Sequence, residues 1–309
     1  MSVRSFLSTH DLTAEEVEGL FGLTSRVKSD PSAYHQALAG QSLAMIFQKS
    51  STRTRVSFEV GMFQLGGQAL FLSSSDIQLG RGETIADTAQ VLSRYTHGIM
   101  ARTYAHDDVL ELSRHATVPV INGLTDLLHP CQAMADYYTL REVFGDLEGR
   151  KVAYLGDGNN VAHSLMLAAV KVGVDLIIAT PVGFEPDVEI VDLAQRSASA
   201  AGVKIEITTD PIVAVSGASA VYTDVWASMG QEDDAERRLG LFRDFEVNQE
   251  LMSKALPEAV FLHCLPCHRG EEVSVEVADG PQSRIFDQAE NRLHTQKAIM
   301  LWLMGGVDL

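Results

Sequence analysis

The chain has 309 residues, which is long enough for two domains of ordinary size, each with its own buried core. Hydrophobic residues make up 46% of the sequence and charged residues 21%, a balance typical of a folded globular protein rather than a disordered one. The formal net charge of −17 argues against nucleic acid and anionic membrane surfaces as partners, because both require clustered cations.

Residues 1–18 contain a single arginine, several acidic residues and no apolar core, so we expect neither a secretory signal nor a transit peptide there. No apolar run approaches the length of a membrane-spanning helix. The cysteines are Cys131, Cys264 and Cys267, too few for a disulfide framework. These features predict a cytoplasmic protein.

Short apolar segments alternate with helix-like segments, a pattern typical of a parallel sheet covered by helices on both faces. Strands are predicted at 43–47, 69–72, 98–102, 118–122, 151–156, 175–179, 204–208, 220–224 and 260–264. One helix is predicted to begin at Pro130, and the last helix to cover roughly 288–304. The sequence thus predicts an α/β fold of two doubly wound parallel-sheet domains linked by interdomain helices, divided near 145–149.

The polar clusters of the sequence directly follow these strands. They lie at 51–55, at Arg102, and at 129–132, 156–160, 224–230 and 264–268. Ligands of open α/β sheets bind beyond the carboxyl ends of the strands. We therefore expect these clusters to line two ligand-binding sheet edges that face each other across a cleft.

The segment Ser51-Thr52-Arg53-Thr54-Arg55 places three hydroxyls and two guanidiniums where a strand leads into a helix. The hydroxyls can cap the helix, and the free N–H groups at a helix N-terminus attract anions. Arginine adds a charge-assisted and often bidentate contact to phosphate. The pattern favours a phosphate site, although an ordinary capped helix with two solvated arginines fits the pentapeptide almost equally well.

His129 stands before Pro130, a residue well suited to the first turn of a helix. At that position an imidazole can donate a hydrogen bond to a carbonyl oxygen and stabilise the charge that develops on it. Gln132 can add amide contacts. A histidine before a helix is more often structural, and Arg102 could equally form a domain-bridging ion pair.

The turn Gly156-Asp157-Gly158-Asn159-Asn160 follows a strand and opens a helix, so a dinucleotide site must be considered. The match is weak, because Val161 replaces the third small residue and no acid ends the next strand. A glycine-aided turn with polar caps is the alternative, in which Asn160 offers an amide to a carboxylate or an amine.

The loop that begins at Asp224 has no lysine or arginine before Arg237, so it should favour an ammonium-bearing ligand over a dicarboxylate. The segment 263–268 contains a C-x-x-C pattern, which raises redox and zinc interpretations. A second pair of zinc ligands is missing from the sequence pattern, and we expect no metal. Leu265 is held extended by Pro266, which leaves its carbonyl free for a substrate amide.

Taken in this order, the clusters resemble the aspartate/ornithine carbamoyltransferase family over nearly the whole chain. Ser51-Thr52-Arg53-Thr54-Arg55 is similar to the family's carbamoyl-phosphate motif, and His129-Pro130-Cys131-Gln132 to its H-P-x-Q motif. Asp224 with Ser228-Met229-Gly230, and His263-Cys264-Leu265-Pro266, resemble the ornithine branch. Four motifs in register make this resemblance highly specific.

The resemblance implies transfer of the carbamoyl group of carbamoyl phosphate to the δ-amine of L-ornithine, giving L-citrulline and phosphate. Such a reaction serves arginine biosynthesis, including the urea cycle, or arginine catabolism, and needs no cofactor. The implied domains are 1–147 for carbamoyl phosphate, with helix 288–309 packing back on it, and 148–287 for ornithine. The implied assembly is a homotrimer, or a multiple of trimers, with shared sites.

The resemblance also implies site residues. Carbamoyl phosphate would be bound by Ser51, Thr52, Arg53, Thr54, Gln78, Arg102, His129, Gln132, Cys264, Leu265 and Arg292. Ornithine would be bound by Asn160, Asp224, Ser228, Met229 and Cys264. The implied catalytic residues are Arg102, His129 and Cys264, Gln78 would reach the phosphate of a neighbouring subunit, and Arg55 would be structural.

Two further expectations concern the 263–268 segment. The Leu265–Pro266 bond is expected to be cis, following the family pattern. Cys267 departs from that pattern, because family members usually carry a non-thiol residue there. We hypothesise that a Cys264–Cys267 disulfide forms under oxidation and switches the enzyme off.

Other functions remain open on the residues alone. Aspartate is disfavoured as the acceptor by the cation-free loop, whereas putrescine or an acylated ornithine is harder to exclude. A nicotinamide-dependent oxidoreductase built on 156–160 and a non-catalytic binding protein are the alternatives from other classes.

Overall fold

The computed structural model describes residues 3–74, 82–227 and 235–309. The chain divides into two compact units. Unit 1 comprises Met1–Met134 and Glu290–Leu309, and unit 2 comprises Ala135–Ala289. The domain bounds of 1–147 and 148–287 stay a prediction.

Unit 1 contains a parallel sheet, which in the described residues has four strands. They are β1 (Ser42–Phe47), β2 (Gln68–Ser73), β3 (Gly98–Arg102) and β4 (Val120–Leu124), in the order β2-β1-β3-β4. The helices of this unit are α1 (Ala14–Ser29), α2 (Thr52–Gln64), α3 (Ile85–Tyr95) and α4 (His106–His115). Helix α5 (Pro130–Phe144) begins in unit 1 and ends in unit 2.

Strand β4 begins two residues later than predicted. Pro119 has no N–H to donate to a ladder, although its carbonyl accepts the N–H of Ile99 at 2.9 Å. At the other end, a shift in register between Ala101 and Arg102 extends the pairing to Leu124. The remaining unit 1 strands lie within one residue of their predicted bounds. Strands β1 and β3 are apolar segments buried in the core, whereas β2 lies at the edge of the sheet and is partly exposed.

Unit 2 contains a second parallel sheet, with five strands in the described residues. They are β5 (Lys151–Leu155), β6 (Asp175–Ala179), β7 (Ile205–Thr208), β8 (Ala220–Thr223) and β9 (Val260–His263), in the order β7-β6-β5-β8-β9. Its helices are α6 (Asn160–Val172), α7 (Val188–Ala201), α8 (Pro211–Val215), α9 (Ala235–Phe242), α10 (Gln249–Met252) and α11 (Val275–Ala278). Helix α12 (Ile285–Met304) begins in unit 2 and ends in unit 1.

The topology of each sheet marks one place for a ligand. In unit 1 the strand order reverses beside β1, which has β2 on one side and β3 on the other. In unit 2 it reverses beside β5, which lies between β6 and β8. Open α/β sheets bind ligands beyond the strand ends at such reversals, so residues that follow β1 and β3, and those that follow β5 and β8, are the candidates.

None of the helices in the described ranges combines the length and the apolar character that crossing a membrane requires.

Candidate active site

The turn between β1 and α2 has the geometry of an anion site. The Ser51 hydroxyl accepts the Thr54 N–H at 3.1 Å and so caps the helix, as its sequence position predicted. Arg53 is half-buried in the first turn of α2, and Thr54 is buried. The positive end of the helix dipole, the Arg53 guanidinium and the Thr52 hydroxyl therefore belong to one short segment.

Arg292 lies on α12 in the same unit and is 3% exposed. Its Nη2 donates to Thr54 Oγ1 at 3.3 Å, and its Nη1 donates to Gln132 Oε1 at 2.5 Å. Its Nε donates to Gln296 Oε1 at 2.8 Å. These three partners are neutral, and they orient the guanidinium.

His129 precedes α5 directly and is buried. Its carbonyl accepts the N–H of Gln132 at 3.1 Å, in the first turn of that helix. Burial, and then the positive charges of Arg292, Arg102 and Arg53, hold the pKa of His129 well below its usual value of 6.5. The imidazole is therefore neutral at physiological pH and lies among three guanidiniums.

Two neighbours of these residues have structural contacts of their own. Arg55 lies on the exposed side of α2, with Nε 3.0 Å from Glu59 Oε1 and its guanidinium 3.7 Å from the Phe71 ring centre. These contacts account for Arg55 without a ligand. Cys131 is buried and donates to the Asn122 carbonyl at 3.4 Å, and burial raises its pKa to about 12, so its thiol is inert.

In unit 2, Asp224 follows β8 directly and is 6% exposed. Its Oδ1 accepts the Val225 N–H at 2.8 Å and the Cys264 thiol at 2.9 Å. Its Oδ2 accepts Nδ2 of Asn159 at 2.9 Å. These donors are neutral, so the carboxylate is oriented while its negative charge remains available to a cationic ligand.

The backbone after β9 is unusual. The Leu265–Pro266 bond is cis, as predicted, and Leu265 has a φ of 60°. The Leu265 N–H donates to His263 Nδ1 at 2.9 Å, and His263 Nε2 lies 3.3 Å from the buried Glu272. This arrangement holds the segment in a conformation that leucine rarely adopts.

The backbone geometry and packing of the turn after β5 account for its glycines without a bound dinucleotide. Gly156 has a φ of 134°, which favours glycine and ends the strand one residue earlier than predicted. A Cβ on Gly158 would lie 2.2 Å from the backbone nitrogen of Pro186, so close packing requires this glycine. Asn159, not Asn160, caps α6, accepting the N–H of Val161 at 2.9 Å.

Two groups of side chains have the composition of metal ligands in the described part of the chain. Asp224, His263 and Cys264 form one, and His268, Glu271 and Glu272 form the other, with ligand atoms within 4.8 Å of one another in each. In the first group all three side chains already make hydrogen bonds within the protein. Those hydrogen bonds account for the geometry without an ion.

Some predicted residues lie outside the described ranges, and some described contacts were not predicted. The predicted site residues outside the described ranges are Gln78, Ser228 and Met229. The residues whose contacts were not predicted are Asn159, Asp157, Arg238 and Glu272. The asparagine pair after Gly158 indicated a cap, but nothing in the sequence pointed to the partners of Arg238 or Glu272.

Comparison with known proteins identifies the family. The model of the carbamoyl-P binding domain of aspartate/ornithine carbamoyltransferases matches residues 4–142, and that of the Asp/Orn binding domain matches residues 148–303. The chain belongs to the aspartate/ornithine carbamoyltransferase family. Membership confirms the resemblance drawn from the four motifs.

The most similar members of the family found include ornithine carbamoyltransferases. That of Thermococcus kodakarensis is 54% identical over 308 residues, covering 99% of this chain and 98% of its own. The anabolic ornithine carbamoyltransferase of Pyrococcus furiosus is 55% identical, covering 98% and 97%. A solved structure of ornithine carbamoyltransferase from Pyrococcus furiosus matches with a TM-score of 0.95 over 99% of each chain, at 54% identity.

The fold extends to more distant members. The ornithine transcarbamoylase structure from Giardia lamblia is 32% identical and matches with a TM-score of 0.91 over 100% of both chains. The prediction of two parallel-sheet α/β domains is thereby confirmed.

Proposed function

We propose that this chain is an ornithine carbamoyltransferase, which moves the carbamoyl group of carbamoyl phosphate to the δ-amine of L-ornithine and releases L-citrulline and phosphate. The observation that carries the choice of acceptor is Asp224, a buried carboxylate that is oriented by neutral donors of Asn159, Val225 and Cys264 in the described part of the chain. An ammonium group is the complement of such a carboxylate, whereas the second carboxylate of aspartate is repelled by it. The near-full-length similarity to ornithine carbamoyltransferases supports the same choice.

Carbamoyl phosphate binds at the β1–α2 turn in this proposal. Ser51, Thr52, Arg53 and Thr54 hold the phosphate, supported by Arg292 through its contact with Thr54. Arg102, His129 and Leu265 are assigned to the carbamoyl group, with Gln132 nearby. Fixed guanidiniums and hydroxyls of this kind stabilise a dianion and the charge that moves onto it as the bond to phosphate breaks.

His129 acts as a neutral hydrogen-bond donor. Because burial and three arginines lower its pKa, the imidazole holds one proton and does not pass it on at physiological pH. Its N–H stabilises the oxygen of the tetrahedral intermediate as negative charge develops there. The departing phosphate is the proton acceptor for the attacking amine.

Ornithine binds through Asn160, Asp224 and Cys264, with Ser228 and Met229 assigned to the same ligand. Asp224 and the Cys264 thiol are placed at the α-ammonium end, which leaves the δ-amine free to attack. An alkyl amine has a pKa of about 10.4, so the reactive, neutral form is scarce at neutral pH. Positioning therefore supplies most of the rate enhancement, because it aligns the amine with the carbonyl carbon.

The assembly is proposed to be a homotrimer, or a multiple of trimers, in which Gln78 reaches a neighbouring subunit's phosphate. An apolar row on α2 supports an interface on unit 1, because Val56, Val60 and Phe63 are 49%, 36% and 80% exposed. These residues are spaced four and three apart and therefore share one face of the helix. We further propose a cytoplasmic location and a role in arginine biosynthesis or catabolism.

The test offers the purified protein carbamoyl phosphate with ornithine, putrescine, N-acetylornithine or aspartate in separate reactions. Phosphate release and ureido product are measured together, since carbamoyl phosphate also decomposes without a catalyst. Of the four acceptors, we expect only ornithine to give phosphate and ureido product in equal amounts. Equal or faster turnover of another acceptor would replace ornithine in the proposal.

A further inference from the structure

Arg238 is a buried arginine that none of the assignments above uses. It lies on α9 and is 8% exposed. Its Nη1 donates to Asp157 Oδ2 at 2.9 Å and to the Trp226 carbonyl at 2.7 Å. One guanidinium nitrogen thus joins the turn after β5 to the segment after β8.

Both of these segments carry residues assigned to ornithine. Asp157 is three residues before Asn160, and Trp226 is two residues after Asp224. A second hydrogen bond links the same segments, because Asn159 Nδ2 donates to Asp224 Oδ2 at 2.9 Å. The distance between the two ornithine-binding residues therefore depends on the Asn159 amide and on Arg238.

Charge and packing fix the position of Arg238. Burial raises the pKa of Asp157, and the neighbouring Arg238 opposes that rise. The negative charge of Asp224 also raises the pKa of Asp157, so removing the arginine takes a cation away from two buried acids that repel each other. The guanidinium carbon lies 4.8 Å from the Phe184 ring centre and 6.0 Å from that of Phe242, which restricts its motion.

We propose that Arg238 is a positioning residue for the amino-acid substrate, which holds Asn160 and Asp224 at the spacing that ornithine requires. The inference rests on the proposed function, because it assigns those two residues to ornithine. Arg238 itself does not contact the substrate. Its removal weakens ornithine binding and leaves carbamoyl phosphate binding, whose phosphate contacts are assigned to unit 1 residues, nearly unchanged.

The test measures KM for each substrate, kcat and thermal unfolding for Arg238→Gln, Arg238→Lys and Arg237→Gln. Arg237 is the matched control, since it is adjacent on the same helix but exposed. For Arg238→Gln we expect KM for ornithine to rise on the order of tenfold, as for loss of a charged hydrogen bond, with KM for carbamoyl phosphate within about twofold. Lysine should recover part of the loss, and Arg237→Gln should match the wild type.

Asp157→Ala removes the other partner of the Arg238–Asp157 ion pair. It replaces Arg238→Gln in the test if that variant does not fold. It should also raise KM for ornithine selectively, and the double variant should be no worse than the more damaging single variant, because both remove one interaction. An unchanged KM for ornithine in folded Arg238→Gln or Asp157→Ala, or an equal rise for both substrates, would overturn the inference. A wild-type protein without ornithine-dependent product formation would instead refute the proposed function.

Discussion

The two candidate ligand-binding regions use the same sheet architecture with side chains of opposite charge. In unit 1, the positive charges of Arg53, Arg102 and Arg292 act on the buried His129, which directly precedes α5. In unit 2, a buried aspartate follows β8, beside the turn after β5. The fold therefore predicts where a ligand binds, and the charged side chains gathered at each place predict which charge that ligand carries.

The regions also share a way of orienting those charges. Arg292 is oriented by Thr54, Gln132 and Gln296, and Asp224 by Asn159, Val225 and Cys264. All of these partners are neutral at the contacting atoms. Neutral partners orient a buried ion without taking up its charge, whereas the partner in an ion pair would reduce its attraction for a substrate.

The three arginines Arg53, Arg102 and Arg292 around His129 form the cationic region of unit 1. Its sharpest test compares Arg53 with Arg55, which is two residues further along α2. Arg53→Ala should reduce kcat/KM for carbamoyl phosphate on the order of 100-fold, since charge-assisted hydrogen bonds to phosphate are lost. Arg55→Ala should stay within about twofold, because Arg55 contacts Glu59 and Phe71 instead. Calorimetry with carbamoyl phosphate would separate affinity from turnover. Equal losses in both variants would remove the phosphate assignment.

The anionic region of unit 2 consists of Asp224 and the side chains that contact it. Its matching test is Asp224→Asn, which keeps the shape of the Asp224 side chain and removes its charge. We expect KM for ornithine to rise on the order of tenfold while KM for carbamoyl phosphate changes little. Asp244→Asn is the control, since it removes the same charge from an exposed position in unit 2. If Asp244→Asn had the same effect, the net charge of the unit rather than Asp224 would govern ornithine binding.

The sequence predicted both regions because strands buried in parallel sheets appear as continuous apolar runs. Their ends were therefore predicted closely, and the polar residues after them, such as Ser51 and Asp224, could be recognised. The edge at β4 was less well predicted because its start depends on Pro119 and its end on a register shift.

Contacts between distant segments could not be predicted in this way. Asp157 and Arg238 are 81 residues apart, and no periodicity connects them. Asn159 and Asn160 are adjacent and chemically identical, and only the backbone at the start of α6 decides that Asn159 is the cap. Such choices arise from tertiary packing, which a single sequence specifies but does not display.

The pH dependence of stability should contain a contribution from His129 in the cationic region. His129 has a folded-state pKa below its usual 6.5, so below about pH 6.5 the unfolded chain binds more protons than the folded one. The free energy of unfolding is therefore not reduced by His129 above that pH. It decreases as the pH falls towards the folded-state pKa. The slope from this one group is at most about 1.4 kcal/mol per pH unit.

Urea denaturation of the wild type and of His129→Asn at about pH 7.5 and about pH 5.5 measures this effect. The variant should lose less stability than the wild type between the two conditions. His35→Asn, in which an exposed histidine is replaced, should behave like the wild type. Equal losses in all three proteins would contradict a buried, neutral His129.

The smallest expected effect concerns Cys267, the residue that departs from the family pattern. Burial raises the pKa of its thiol, and Arg269 Nη1, 3.5 Å from its sulfur, only partly opposes that. Cys264 donates to Asp224 and both residues are thiols rather than a disulfide, so Cys267→Ala should leave the activity of the reduced protein within about twofold. The disulfide hypothesis predicts that the same variant loses less activity in peroxide than the wild type and regains less on reduction. If its sensitivity equals that of the wild type, a Cys264–Cys267 disulfide does not cause the loss of activity, and the hypothesis is removed.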